Sequence, residues 1–277
     1  MDKILSDFEK HLKDKNLSEN SVSSYILDIK KYLDFLKSNK ISIKNRSIKT
    51  LKDFIKDEQR RNSDRTVNRV LASIGHFYNF TSQNKINPVK YIVRPSYIKG
   101  KTKVLTKKEI KMFFDSFYEG DIFELRNKTM FELMYSSGLK VSEVVNLMLS
   151  HLSNDYSTVK VNGRKIKLSV KGQKLLQTYI SQSRCWIIGR LYDNYIFVSN
   201  KAEKLDRKSV WRIFDKHKRK SKISVSATLD SLRYTYAKEM FKYCFSNKEI
   251  KDFLRLQYVS PNLIKMEENV TRNNVNN

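Results

Sequence analysis

The sequence is short of the residue types that build metal-binding, secreted and membrane proteins. Its 277 residues include two cysteines, Cys185 and Cys244, and four histidines. The cysteines lack the spacing of metal ligands, so we expect reduced thiols, no metal and no cofactor. No apolar run approaches the length of a membrane span, and the N-terminal residues lack a signal-peptide pattern. We therefore expect a cytoplasmic protein without a membrane partner.

Acidic residues are scarce relative to basic ones. The 55 Lys and Arg residues outnumber the 29 Asp and Glu residues, which gives a net charge of +26. Residues 1–100 hold 21 basic and 11 acidic residues and the remainder holds 34 and 18, so both halves are basic. A basic charge spread over the whole chain favours a polyanion as partner, most often nucleic acid. The abundant Lys, Asn and Ile also fit a biased genome composition, so charge alone leaves the partner open.

Prolines are rare, and two of the three lie in a segment that divides the chain. Pro88 and Pro95 belong to residues 88–105, a segment that also contains Lys101 and Lys103. Proline stiffens a connection and disfavours helix, and the two lysines suit a strap that crosses a DNA backbone. The predicted parts of the chain are a helical domain over 1–87, this basic linker over 88–105, a second domain over 106–266 and a polar tail over 267–277.

Residues 4–87 show helical periodicity, with apolar residues three or four positions apart in four successive stretches. These stripes predict four amphipathic helices that close one small core. Arginines crowd the junction of the third and fourth helices, and the helical spacing of Arg65 and Arg69 suits a phosphate clamp. A solvated basic face is the structural alternative. The predicted DNA contacts in this half are Arg60, Arg61, Arg65, Asn68 and Arg69.

The second half is organised around residues 131–147, whose pattern predicts two helices broken at a glycine. Gly138 supplies the left-handed stop that residues with a Cβ resist, and Ser142 or a neighbour caps the helix that follows. Lys140 then lies at a tight corner, where its single cation can point at a phosphate. The alternative is an ordinary helical corner with an exposed lysine.

The chain changes from helical to alternating periodicity at one turn. Apolar residues alternate over 159–161 and again over 166–170, on either side of Asn162 and Gly163. Asn-Gly between alternating stretches is the strongest short-range signal for a hairpin. The expected fold is therefore mainly α, with a four-helix N-terminal domain and an α-rich second domain that contains a small β-hairpin. Two lysines after the turn are predicted to contact phosphate, Lys165 and Lys167.

Several of these stretches resemble the tyrosine recombinases, the phage integrase and Xer family. Phe131–Leu147 resembles the first active-site box of that family, Leu229–Met240 the second, and Phe253–Lys265 the stretch that contains the tyrosine nucleophile. Leu17–Tyr25 and Arg65–Ile74 resemble phrases of the family's SAM-like core-binding domain. The resemblance implies two domains around duplex DNA, with DNA breakage and rejoining by phosphoryl transfer. It also implies an active recombinase or a second copy of the chain as a partner on DNA.

The same resemblance implies that most catalytic positions are substituted. Arg233 keeps the second arginine of the family, whereas Lys140 stands in place of the first and lacks the bidentate fork that matches phosphate. No histidine occurs in residues 218–277, so a shift of register restores neither catalytic histidine. The other substituted positions are Asn162 for the hairpin lysine, Asp230 and Leu256 for the two histidines, and Lys265 for the tyrosine.

Five of the six catalytic positions are thus substituted, and the functional prediction rests on this loss together with two residues of this region. Tyr258 is the remaining candidate nucleophile, with the packing of a C-terminal helix as its alternative role. Asp230 places a carboxylate beside the phosphate site and, three residues before Arg233 on a helix, can pair with that arginine. We predict a DNA-binding member of the family, linked to recombination or integration, that does not cut. The alternatives are an active recombinase with a non-standard site, shown by a covalent adduct, and a basic RNA- or protein-binding module, shown by failure of duplex DNA to compete.

Overall fold

The computed structural model describes residues 2–44, 47–81, 87–96, 102–189, 194–243 and 245–255. The chain divides into two compact units, Met1–Lys99 and Gly100–Asn277. The described residues are mainly helical with one small antiparallel sheet, which confirms the predicted fold class. The finer boundaries of linker and tail stay predictions. Among the described residues, no helix has both the length and the apolar character of a membrane span.

The first unit contains the four predicted helices and one core. Tyr32 and Tyr78 are buried in it and their hydroxyl oxygens lie 2.5 Å apart, so each polar tip has a partner inside the core. Val89, in a short 3₁₀ turn over Pro88–Tyr91, packs against the same core, so the start of the predicted linker belongs to this unit. The helices are α1 (Asp2–Asp14), α2 (Glu19–Ser38), α3 (Ile48–Arg61) and α4 (Asp64–Thr81).

The second unit is built around a central helix, α6 (Ile122–Ser136), in which every residue from 125 to 134 is buried. A helix that is buried all round lies inside its domain, and the helices over 141–144, 170–178 and 229–242 pack directly against it. The other helices are α5 (Lys107–Asp115), α7 (Val141–Val144), α8 (Val170–Thr178), α9 (Cys185–Ile188), α10 (Arg207–Lys220), α11 (Leu229–Lys242) and α12 (Asn247–Leu254).

The predicted hairpin is present as β1 (Thr158–Val161) and β2 (Arg164–Lys167). Asn162 and Gly163 join the strands with φ angles of 48° and 77°, as the tight two-residue turn requires. The prediction that alternation continues to residue 170 is wrong. Ser169 Oγ accepts the amide of Gly172 at 3.0 Å, so Ser169 caps α8 and ends the extended segment.

Candidate active-site corner and nucleic-acid interface

The turn after α6 forms a tight corner at Gly138. Gly138 has a φ of 59°, and a Cβ there would lie 2.7 Å from the ring of Phe253, so backbone and packing both require glycine. Lys140 is the N-cap of α7, and Glu143 Oε2 accepts the Lys140 amide at 2.7 Å. The N-cap is therefore Lys140, two residues before Ser142, and the Glu143 side chain satisfies its amide, whereas the Lys140 side chain makes no cap bond.

Arg233 reaches this corner from α11, and its guanidinium is almost fully buried. Its Nε donates to Gly138 O at 2.8 Å and its Nη2 donates to Leu254 O at 2.6 Å. Its Nη1 donates to Asp230 Oδ1 at 3.3 Å, which confirms the pairing expected from their spacing on a helix. Burial lowers the pKa of the Arg233 guanidinium, and the Asp230 carboxylate opposes that shift.

Lys140 and Arg255 complete the corner. Lys140 is half-buried and its Nζ donates to Arg255 O at 3.3 Å. Arg255 directly follows α12, and its Nε and Nη2 donate to the two carboxylate oxygens of Glu143 at 2.9 and 2.8 Å. Its Nη2 also donates to Gly138 O, the carbonyl that Arg233 uses. Five charged side chains meet at this corner, and we call them the Gly138 corner cluster. They are Lys140, Glu143, Asp230, Arg233 and Arg255.

The cluster holds three positive and two negative side chains. Its net positive charge and its N–H donors can bind one phosphate group. No imidazole belongs to it, and the ammonium of Lys140 lacks the planar fork of an arginine. Three predicted site residues of this region, and one of the linker, lie outside the described residues. They are Leu256, Tyr258, Lys265 and Lys101.

The hairpin turn lies beside the corner cluster. Glu143 and Asn162 line one cavity of about 230 Å³, together with Lys160 and His151. The strand register pairs Lys160 with Lys165 and Thr158 with Lys167, so the three lysines share the exposed face of the hairpin. Sequence reasoning named Lys165 and Lys167 but missed Lys160, although the parity of a two-residue hairpin places it opposite Lys165.

The predicted DNA contacts of the first unit fall into two groups. Arg60, Arg61 and Arg65 are exposed, and Arg61 Nη2 pairs with Asp57 at 3.1 Å within α3. Arg69 is engaged inside the unit, because its Nη1 pairs with the buried carboxylate of Asp28. The structure thus brings Arg60, Arg61 and Arg65 to the surface, where Arg61 is held in an ion pair within its own helix.

Two further predicted contacts are partly engaged by their own surroundings. Asn68 Nδ2 donates to Pro95 O at 2.7 Å, which ties the segment after the 3₁₀ turn to α4. Lys103 is half-buried in the segment before α5. Their side chains therefore offer less to a DNA backbone than an exposed arginine does.

Comparison with known proteins gives a family match for each of the two units. Residues 103–257 match the model described as "Phage integrase family", and residues 5–85 match "Phage integrase, N-terminal SAM-like domain". The chain is similar to Tyrosine recombinase XerD of Staphylococcus saprophyticus, with 27% identity over 267 residues, 92% of this chain and 90% of the relative. It is 29% identical over 261 residues to the "Putative tyrosine recombinase TTE1313" of Caldanaerobacter subterraneus, covering 91% and 88%.

Solved structures show the same fold. The Tn1549 transposon integrase in complex with circular intermediate DNA superposes with a TM-score of 0.74 at 13% identity, covering 98% of both chains. A lambda integrase tetramer bound to a Holliday junction gives a TM-score of 0.70 at 15% identity, covering 97% of this chain and 77% of the other. The family models together span most of the sequence, and the chain belongs to the phage integrase family of tyrosine recombinases.

Proposed function

We propose that the chain is a cytoplasmic duplex-DNA-binding protein of this family that does not cleave DNA. The observation that carries the proposal is the contact between Asp230 and Arg233. The Asp230 side chain is 65% exposed, whereas that of Arg233 is 5% exposed. A phosphate that approaches the guanidinium therefore meets a carboxylate, which repels the negative charge that develops during phosphoryl transfer.

DNA binding is supported by charge and by position. Both halves of the sequence are basic, and each unit presents exposed cations of its own. In the first unit these include Arg60 and Arg65, and in the second unit the three lysines of the hairpin face. Similar proteins are named as recombinases, and several solved neighbours are described as bound to DNA. Binding by such cations releases counterions, so affinity should fall steeply with salt.

The absence of cleavage is supported by the chemistry of the substituted positions. Lys140 supplies charge without a bidentate fork, and Asn162 has no ammonium proton to give to a leaving oxygen. By the family resemblance, Lys265 stands where the nucleophilic tyrosine belongs. A nucleophile is an absolute requirement of the covalent step, whereas charge-stabilising groups scale its rate. On this proposal the protein acts on DNA by occupying it, alone, as several copies, or beside an active recombinase.

The test is a covalent-trapping experiment that also measures binding. The protein is incubated with a library of nicked suicide duplexes, and each sample is divided between a native and a denaturing gel. We expect retarded duplex on the native gel and no protein–DNA adduct on the denaturing gel. An active relative of the XerD type serves as the positive control for trapping. Loss of duplex binding would refute the DNA-binding part, and an adduct would refute the non-cleaving part.

An active recombinase with a non-standard site is the second candidate. It is favoured by Arg233, which keeps its place at the Gly138 corner, and by relatives that are named as recombinases. An adduct that disappears in Tyr258→Phe would establish this candidate and identify the nucleophile. A basic module for RNA or protein is the remaining alternative, and it requires that duplex DNA fails to compete with the bound partner.

A further inference from the structure

We propose that Arg255 is a positioning residue that holds Lys140 and Arg233 in the geometry that receives a DNA phosphate. This inference rests on the proposed DNA-binding function and assigns a role to a residue that the sequence did not single out. Arg255 acts in two ways, through its side chain and through the backbone carbonyls at the end of α12.

The side chain of Arg255 fastens the end of α12 to the Gly138 corner. Its fork bonds both oxygens of Glu143, and the side chains of Arg255 and Glu143 are 10% and 8% exposed. A bidentate pair away from water is screened little and has one preferred geometry. Glu143 is itself fixed, because its Oε2 also accepts the amide of Lys140. The guanidinium therefore links two backbone segments that are more than a hundred residues apart in sequence.

The fastened end of α12 supplies the acceptors for both remaining cations of the cluster. Arg255 O accepts from Lys140 Nζ, and Leu254 O accepts from Arg233 Nη2. A carbonyl orients a cation without cancelling its charge. These two bonds therefore fix the positions of Lys140 and Arg233, and their positive charge stays available to an anion. Release of the end of α12 would remove both acceptors at once.

Arg255 is poorly suited to bind the phosphate itself. A guanidinium has five N–H donors, and the described contacts of Arg255 use four of them, on Glu143, Gly138 O and Phe253 O. Its backbone adopts the left-handed region with φ 53°, which favours glycine over arginine. A strained residue whose donors point inward fits a role that is exerted through its neighbours.

The experiment compares Arg255→Gly with a matched control, Lys222→Gly. Lys222 is an exposed cation with φ 54°, so the control removes the same charge and relieves the same backbone strain away from the corner. Glycine adopts the positive φ of both positions without strain, so both variants should fold. The first measurement is the rate of Lys140 acylation by an N-hydroxysuccinimide ester, followed by mass spectrometry without DNA. The second is the Kd for a duplex oligonucleotide.

We expect Arg255→Gly to raise the Lys140 acylation rate several-fold and to weaken duplex binding by about tenfold, with little change in Lys222→Gly. Glu143→Gln removes the charge that anchors Arg255 and should raise Lys140 acylation in the same direction. Lys140→Gln should weaken binding in the wild type but add little in the Arg255→Gly background, because Lys140 has already lost its position there.

Three outcomes would overturn the inference. Unchanged Lys140 acylation in Arg255→Gly would show that Arg255 does not position this lysine. Raised acylation with unchanged duplex binding would show that the positioned cations do not contact phosphate. Equal losses of binding in Arg255→Gly and Lys222→Gly would reduce the effect to net charge. Failure of the wild type to bind duplex DNA would instead refute the proposed function, while the acylation rates would still decide whether Arg255 holds Lys140.

Discussion

Asp230 Oδ1 accepts a hydrogen bond from Nη1 of Arg233, one turn further along α11, at 3.3 Å. The two other described contacts of this guanidinium are made to backbone carbonyls, which leave its charge intact. Asp230 is therefore the group of the corner cluster that neutralises the retained arginine. Because Asp230 is largely exposed and Arg233 is buried, removal of the carboxylate should alter ligand binding more than it alters the fold.

Replacing Asp230 by asparagine should strengthen binding to duplex DNA. The amide keeps the size of the side chain but removes the negative charge that faces an incoming phosphate. We expect the Kd to fall by about threefold to tenfold at low salt, with a smaller gain at high salt, where charges are screened. The Kd would be measured by fluorescence anisotropy with one duplex at two salt concentrations.

Asp115→Asn is the matched control for this prediction. Asp115 is a similarly exposed carboxylate that pairs with Lys111 on α5, and its removal changes the net charge by the same amount. An equal gain in affinity in both variants would show that Asp230 acts only through net charge and does not specifically repel a phosphate from Arg233.

Arg65 and Arg69 should differ in their effect on stability, although they lie one turn apart on α4. Asp28 is 1% exposed, and it is held by Arg69 and by Ser73 Oγ, which donates at 2.7 Å. Arg69→Ala leaves this buried carboxylate with the hydroxyl alone and should cost about 1–3 kcal/mol of unfolding free energy. Arg65→Ala removes an exposed cation and should change the unfolding free energy by less than about 0.5 kcal/mol.

Urea unfolding of both arginine variants, followed by circular dichroism, would measure this difference. Duplex binding adds the functional comparison, in which we expect Arg65→Ala to weaken affinity at unchanged stability. If both variants were as stable as the wild type, the pair between Arg69 and Asp28 would contribute nothing measurable. If Arg65→Ala also left binding unchanged, its surface would be a solvated face outside the DNA interface.

His217 should make the protein less stable as the pH falls. It is fully buried, stacks on Phe117 with ring centroids 3.7 Å apart, and its Nδ1 lies 2.9 Å from Ser116 Oγ. Burial lowers the pKa of His217 well below its ordinary value of 6.5, while the carboxylate of Glu124, 3.1 Å from Nε2, opposes the shift and Lys216 adds to it. Below that ordinary value, the unfolded chain binds a proton that the folded chain does not.

The unfolding free energy should therefore decrease as the pH is lowered from about 7 to about 5, because the unfolded state binds more protons than the folded state in this window. His217→Phe keeps a ring against Phe117, and Ser116 Oγ keeps its bond to Phe113 O at 2.7 Å. This variant should show a shallower decrease over the same window in urea unfolding. Identical slopes for wild type and variant would show that His217 does not carry the pH dependence.

Local patterns predicted most of the fold and part of the site. The four helices of the first unit follow from apolar spacing, and the hairpin follows from Asn162 and Gly163 between alternating stretches. The contact between Asp230 and Arg233 was predictable for the same reason, since residues three apart meet on a helix. Each of these features depends on residues that are close in sequence.

Contacts across long sequence separations account for the ion pairs that the sequence did not predict. Arg69 finds Asp28 at a separation of 41 residues, and Arg255 finds Glu143 at a separation of 112 residues. Charge and spacing alone place Arg69 among the solvated arginines around it, because nothing near it in sequence reveals a buried carboxylate. A charged residue just after a helix likewise gives no sign that its partner lies at a distant corner.

The exposed hairpin face gives a prediction in which strand register separates two classes of lysine. Lys160 and Lys165 are directly paired on the exposed face, and Lys160 lines the cavity that Glu143 and Asn162 share. If this face contacts the DNA backbone, Lys160→Gln and Lys165→Gln should each weaken duplex binding and reduce the slope of log K against log salt by about 1.

Lys111→Gln is the control, because Lys111 is a highly exposed lysine of the same unit that pairs with Asp115. Binding titrations over a series of salt concentrations would give all three slopes. A slope that falls equally in Lys111→Gln would mean that the hairpin lysines act through general charge, and unchanged slopes in both hairpin variants would remove this face from the DNA interface.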